Sequence, residues 1–231
     1  MDCTVVEIIQ ETHDCRTFVF KPEKMFSYVP GQFIIMHLKN TEMLLQRSYS
    51  FSSAPDNADT FSITVKEKLD GRFTPLLWNL KIGDVLEGRG PFGSFKLDRE
   101  PKPNGRYVFI AGGAGITAPW SMIQNLLNQK TPFPITLIFG NRSMNDIIFL
   151  SKLHQLCESN PNFKLVHVLE KKPDNWNCYQ GYITKTVIAE AVPNYADCMF
   201  ALCGPPVMIT AVVKELQSLG VPPDQIRQEK W

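Results

Sequence analysis

The chain has 231 residues, 44% of them apolar and 20% charged, with a formal net charge of +1 at neutral pH. That length suits one large domain or two small ones with real cores, and so small a charge supplies no field to draw nucleic acid or an anionic membrane. The opening MDCTVVEIIQETHDC lacks the basic head and apolar stretch of a signal peptide, and no run approaches the roughly 18 apolar residues of a membrane helix. A soluble, cytoplasmic protein is expected, with no membrane span and no nucleic-acid partner.

In chain order, the first hundred residues read as short strands: CTVVEII, CRTFVF, GQFIIMHL, RSYSFSS, TFSITVKE and DVLEGRG. They are rich in β-branched and aromatic residues and separated by Gly, Pro, Asp or Asn, the pattern of a small antiparallel barrel or sandwich. One helix interrupts them in RFTPLLWNLKIGD, where Thr74 is the predicted N-cap, Pro75 the first helical residue, and Leu76, Leu77 and Leu80 the apolar face. The stretch KLDREPKPNGR, residues 96–106, reads as a linker. Beyond it, apolar strand runs (YVFIAG, ITLIFG, FKLVHVLE, CMFALCG) alternate with helical stretches (APWSMIQNLLNQK, FLSKLHQLCES, PVMITAVVKELQSLG), which implies a parallel α/β sheet. Two domains are therefore predicted, β over residues 1–101 and α/β over 102–231.

Chemistry-bearing residues are sparse. The six cysteines form no C-x-x-C pair and the four histidines have no ligand spacing, so no metal site is expected. RSYSFSSAP, residues 47–55, crowds a cation, an aromatic ring and four hydroxyls into nine positions. Such a stretch is either a solvated strand end or a seat for something flat and anionic.

In YVFIAGGAGITAPWSMI a strand runs into a glycine cluster and then a helix. Gly113, Gly115 and Ala118 satisfy G-x-G-x-x-G/A, where glycines let the backbone approach a pyrophosphate and the helix start offers free N–H groups. A simple tight turn is the alternative. A second turn, CGPPVM at 203–208, follows another strand and opens another helix. In an open parallel sheet, ligands gather where such turns sit. Glu170, at the end of FKLVHVLE, is either a partner for ribose hydroxyls or a charged strand end in water; Lys171 and Lys172 follow it.

Together these motifs resemble the ferredoxin–NADP reductase family, in the branch that holds cytochrome b5 reductases and the reductase components of bacterial oxygenases. PGQF (30–33) resembles its Pro-Gly-Gln turn and RSYS (47–50) its flavin-binding R-x-Y-S. TVKE (64–67), with Val65 and Lys66, and GRFT (71–74), with Gly71, Arg72, Phe73 and Thr74, resemble its further flavin segments. GDVLEGRGPFG (83–93) resembles the barrel's closing strand, and GGAGITAP (112–119) and CGPPVM (203–208) its pyridine-nucleotide motifs. The resemblance covers nearly the whole chain, in order. It implies a six-stranded antiparallel flavin-binding barrel followed by a Rossmann-like parallel-sheet domain for the nicotinamide nucleotide.

It also implies roles. Arg47 would meet flavin phosphate, Tyr49 would offer its π face, and Ser50 would bond near the hydride-accepting flavin nitrogen. Either Ser50 does so or it is a strand hydroxyl satisfied by backbone. The Gly71–Thr74 turn would grip a pyrophosphate, which favours FAD over FMN. Gly113, Gly115 and Thr117 would hold the nucleotide phosphates, although Ala118 intervenes before Pro119 where the family usually has proline at once. Cys203, with Gly204 and Pro205, sits where the family places the nicotinamide; a buried packing thiol is the alternative. Plant-type relatives end with a glutamate two residues before a terminal aromatic ring that covers the flavin, and Glu229 and Trp231 have that spacing. Trp231 is expected to stack on the flavin, or else to belong to a surface tail. By strand alternation Ser48 and Phe51 are expected to point away from the flavin, and Ser52 and Ser53 have no assigned contact.

Plant-type NADP enzymes carry Ser-Arg where this chain has Glu170-Lys171, which favours NADH over NADPH. The implied reaction is hydride transfer from NADH to FAD, then delivery of single electrons to a separate acceptor protein: a ferredoxin, a flavodoxin, a haem protein or an oxygenase component. No fused iron–sulfur domain is expected, and a monomer is expected. Two other readings stay open: a free-flavin reductase with flavin as substrate, and a non-catalytic flavin- or nucleotide-binding sensor or subunit.

Overall fold

The computed structural model describes residues 1–38, 45–55 and 59–230. The chain folds into two compact units, Met1–Lys96 with Trp120–Asn128, and Leu97–Pro119 with the chain from Gln129 onward.

The first unit holds six strands, β1 (Asp2–Thr12), β2 (Cys15–Pro22), β3 (Phe33–Leu38), β4 (Leu45–Ser50), β5 (Phe61–Lys66) and β6 (Val85–Phe92). They form one antiparallel sheet in the order β4-β3-β6-β1-β2-β5. A bridge between Phe51 and Ile63 joins the two ends of that order and closes the barrel. Period-two alternation turns Phe18, Phe20, Ile34, Met36, Phe61 and Ile63 inward, all essentially without solvent contact. Each such side chain contributes roughly 2 kcal/mol of burial. Tyr28 stacks on Phe51 with ring centroids 4.0 Å apart.

The one helix here, α1 (Thr74–Trp78), departs from its expected cap. Phe73 is the N-cap and Thr74 already lies in the first turn. The Thr74 hydroxyl instead donates to the Lys68 carbonyl at 3.0 Å and accepts the Lys68 N–H at 3.1 Å. A partner six residues upstream outcompetes the helix's own N–H groups for that oxygen, so Thr74 ties the loop before the helix.

The second unit is a wholly parallel sheet in the order β10-β9-β8-β7-β11-β12. Its strands are β7 (Tyr107–Gly112), β8 (Ile135–Asn141), β9 (Phe163–Leu169), β10 (Tyr179–Gln180), β11 (Met199–Gly204) and β12 (Ile226–Lys230). Helices α2 (Thr117–Asn128), α3 (Leu150–Ser159), α4 (Lys185–Ala191) and α5 (Pro206–Ser218) connect them. Every residue of β7 and β11 is buried, as expected of central parallel strands covered on both faces. Val187 and Ile188 of α4 and Ile209, Val212 and Leu216 of α5 pack on Val108, Ile110, Phe200 and Leu202. The α5 residues recur at helical spacing and make a single apolar stripe.

Besides the two-residue strand β10, two elements go beyond the sequence expectation. Helix α4 has only seven residues, with Thr184 accepting the Val187 N–H at 3.4 Å as its cap. The closing IRQEK, to which the sequence pattern assigns no element, is strand β12, paired along β11. The predicted linker is fastened within the second unit: Arg99 meets Asp224 at 2.7 Å and Asp98 meets Arg227 at 2.7 Å. Among the described residues, no helix is long and apolar enough to cross a membrane.

Candidate functional site

Strand β4 ends the sheet order of the first unit, so one of its edges carries no strand partner along Leu45–Ser50. Arg47 is exposed, and its guanidinium donates to the Gln46 carbonyl at 2.7 Å. Its remaining N–H groups have no other partner among the described residues, which leaves most of a planar fork available for an anion. Tyr49 is half-buried, its ring 5.9 Å from that of Phe73, and burial holds its phenol above the ordinary value, hence neutral. The Ser50 hydroxyl has no hydrogen-bond partner among the described residues.

The register corrects part of the alternation reading. Tyr49 lies opposite Ile34 and Arg47 opposite Met36, whereas Ser48 and Ser50 lie opposite Ile35 and Phe33. Ser48 therefore shares a face with Ser50, and Phe51 has the parity of Tyr49, with its side chain in the barrel core. Ser52 and Ser53 also acquire partners. The Thr64 hydroxyl donates to Ser52 Oγ at 2.8 Å, and the Ser53 carbonyl accepts from Tyr28 Oη at 3.0 Å and Ser121 Oγ at 2.6 Å.

The remaining residues expected around a flavin divide by what is free. Val65 and Phe73 are 2% and 1% exposed and sit in the core, so only their backbone faces outward. The Lys66 ammonium pairs with Asp14 at 2.9 Å. Burial pushes the Asp14 carboxyl up, but hydrogen bonds from Lys66 and Thr12 outweigh it and hold the group below the usual range. Gly71 closes the loop before α1, and a Cβ there would stand 2.8 Å from the Lys68 carbonyl oxygen. Arg72 is exposed.

In the second unit the strand order reverses between β7 and β11, and both glycine turns leave the carboxyl ends of those two strands. The turns meet backbone to backbone. A Cβ on Gly115 would lie 2.4 Å from the Cys203 carbonyl oxygen and 2.6 Å from Gly204 Cα. Gly113 has φ +51° with nothing within 4 Å of a Cβ, so handedness and not space calls for glycine there. Thr117 is buried at the start of α2, while Pro205 is exposed at the start of α5.

Cys203 and Glu229, far apart in sequence, are cross-strand neighbours on β11 and β12. Burial, then the Glu229 charge, pushes the Cys203 thiol up to about 12, and burial raises the Glu229 carboxyl. A thiol so placed stays protonated at neutral pH and is no nucleophile; it offers a small, soft surface. Glu170 is exposed at the end of β9, its N–H bonded to the Asn141 carbonyl at 3.1 Å. Trp231 lies outside the described residues.

An oxidoreductase FAD-binding domain model matches residues 2–97 and an oxidoreductase NAD-binding domain model matches residues 109–214. The chain is 32% identical over 98% of its length to the glycine betaine monooxygenase reductase subunit of Chromohalobacter salexigens, and spans 62% of that relative. It is 30% identical over 90% of its length to NADH-cytochrome b5 reductase 1 of Dictyostelium discoideum, and spans 74% of it. Its fold superposes, with a TM-score of 0.90 and 26% identity, on the flavohem-like FAD/NAD binding domain of nitric oxide dioxygenase from Vibrio cholerae, covering 100% of this chain and 98% of that one.

Proposed function

Since the chain belongs to the ferredoxin–NADP reductase family of FAD- and NAD-binding oxidoreductases, we propose that it takes hydride from NADH onto bound FAD and passes electrons to a separate acceptor protein. The acceptor classes are a ferredoxin, a flavodoxin, a haem protein or an oxygenase component. The observation that carries this reading is the pair of abutting glycine turns at the reversal of the parallel sheet, with the buried, protonated Cys203 at the start of one of them.

Residues 1–101 would form the flavin domain and 102–231 the nucleotide domain. A flavin supplies the conversion of a two-electron hydride into single electrons. The chain's own residues bind and orient. The Arg47 fork holds a phosphate, the Tyr49 ring covers a face of the flavin, and the free Ser50 hydroxyl donates at the ring nitrogen that takes the hydride. The backbone at Val65–Lys66 and Gly71–Thr74, with the exposed Arg72, lines the rest of that cofactor. Gly113, Gly115 and Thr117 admit the nucleotide pyrophosphate, and Glu170 accepts from the ribose hydroxyls, which favours NADH. Cys203, Gly204 and Pro205 seat the nicotinamide. Glu229 flanks that thiol, and Trp231 stacks on the flavin. Six free thiols support a reducing compartment, and the reading extends to a cytoplasmic monomer.

The test is a visible spectrum of the purified protein followed by anaerobic titration with NADH and, separately, NADPH. A yellow protein bleached by stoichiometric NADH, and far more slowly by NADPH, is the expected result. A colourless protein that turns over added flavin would make it a free-flavin reductase. One that binds flavin but ignores both nucleotides would overturn the reading.

A further inference from the structure

The loop of residues 170–178 leaves the second unit's sheet at the end of β9 and returns as β10. Its start is tied to the exit of β8: the Glu170 N–H donates to the Asn141 carbonyl at 3.1 Å and the Lys171 N–H to the Arg142 carbonyl at 2.8 Å. Its return is tied by the pairing of β10 with β9 and by the Gly181 N–H, which donates to Leu169 at 2.8 Å. Between those ties Glu170, Lys171, Lys172, Asp174, Asn175 and Asn177 are all exposed. Trp176 is different. Its ring lies 4.7 Å from that of His167, with the planes 35° apart, and 6.5 Å from that of His154.

The seat is unusual as well. His167 is 8% exposed on β9, three residues before Glu170, and neither ring nitrogen has a hydrogen-bond partner among the described residues. Burial, then the neighbouring His154, pushes its pKa down to about 4, so the imidazole is neutral at working pH. A neutral ring with no polar partner among the described residues offers a flat surface, on which the tilted indole stacks. The stack therefore pins the middle of a loop whose charged side chains have no hydrogen-bond or ion-pair partner among the described residues. An unpinned loop would have to be ordered each time a ligand met Glu170, and that ordering would be subtracted from affinity.

We propose that Trp176, seated on His167, is a positioning residue for nucleotide binding, holding the 170–178 loop so that Glu170 and Lys171 meet the ribose of the adenosine half. This rests on the reading of Glu170 given above, and its test separates the two. Binding of ADP-ribose and of nicotinamide mononucleotide is measured by calorimetry for the parent, Trp176→Ala and Trp176→Phe, alongside kcat and KM for NADH. Trp176→Ala is expected to weaken ADP-ribose about tenfold and to raise the NADH KM in proportion. Its kcat and its affinity for nicotinamide mononucleotide should stay within about twofold. Trp176→Phe, which keeps a flat ring, should restore most of the loss. If Trp176→Ala does not fold, Trp176→Leu makes the same comparison.

Unchanged ADP-ribose binding in a folded variant would overturn the proposal, as would equal weakening of both ligands. A parent that binds ADP-ribose but never reduces flavin would sink the hydride reading and leave this one standing. A parent that binds no ADP-ribose overturns both.

Discussion

Strand β4 presents Arg47 and Tyr49 as side chains on an edge strand, whereas the turns after β7 and β11 present almost no side chains. There Gly113, Gly115 and Gly204 offer backbone, and the side chains that matter, Cys203 and Glu229, lie half or wholly buried beside them. Of the barrel's candidate side chains, Arg47 and Arg72 stand exposed, and the one hydrogen bond of Arg47 among the described residues goes to the neighbouring Gln46 carbonyl. The sheet's candidate residues are themselves part of the packing. A side-chain site can be emptied without disturbing the fold, and a backbone site cannot.

The largest expected effect tests the backbone half. In Gly115→Ala the new methyl would need the space of the Cys203 carbonyl at 2.4 Å, and backbone on both sides of the contact cannot swing away. A loss of about 3 kcal/mol or more in urea denaturation is expected, with nucleotide binding abolished. Gly113→Ala, two residues earlier, meets nothing and suffers only from φ +51°, for about 1 kcal/mol. If Gly113→Ala costs as much as Gly115→Ala, the two turns do not meet as described and the contrast with the barrel collapses.

Next comes the side-chain half. Arg47→Ala removes a charge-assisted, fork-shaped donor from an exposed position. FAD affinity should fall by roughly a hundredfold, or about 3 kcal/mol, while the melting temperature of the apoprotein stays within a degree or two. A variant that loses stability without cofactor present would mean that Arg47 supports the barrel, and the two halves would no longer differ in kind.

The same contrast explains what could be read from the sequence. Alternation along CRTFVF and TFSITVKE exposed the barrel, because Phe18, Phe20, Phe61 and Ile63 each occupy one inward position of a two-residue repeat. Strand–helix alternation exposed the parallel sheet, because YVFIAG and CMFALCG are apolar on both faces. Strand β12 escaped notice because IRQEK has an edge strand's polar composition, and only its pairing with β11 makes it a strand. The seven residues of α4 are too few for a helical period to stand out. The motif residues Arg47, Tyr49, Gly113 and Gly115 were legible by type and spacing. Invisible were the long-range partners: Asp14 on Lys66, and Glu229 beside Cys203. No local pattern encodes a partner tens of residues away, and these contacts decide which side chains remain free for a ligand.

The smallest effect concerns a polar side chain inside the sheet unit, where the barrel comparison predicts that any change is felt in stability. His167 titrates at about 4 in the folded protein, below the usual value near 6.5, because burial and then His154 disfavour its charge. Between those two values the unfolded chain binds the proton that the folded chain refuses. The contribution is therefore fully present above pH 6.5 and is lost as pH falls toward 4. At pH 5 the loss amounts to about 2 kcal/mol. Carboxylates titrate in the same range, so the informative quantity is the gap between the parent and His167→Leu, followed by denaturant unfolding from pH 7 to pH 5. The parent should lose about 2 kcal/mol more than the variant over that span. Equal losses would mean that the imidazole reaches solvent or a partner on protonation, and the sheet would then tolerate a polar interior position as readily as the barrel tolerates its exposed edge.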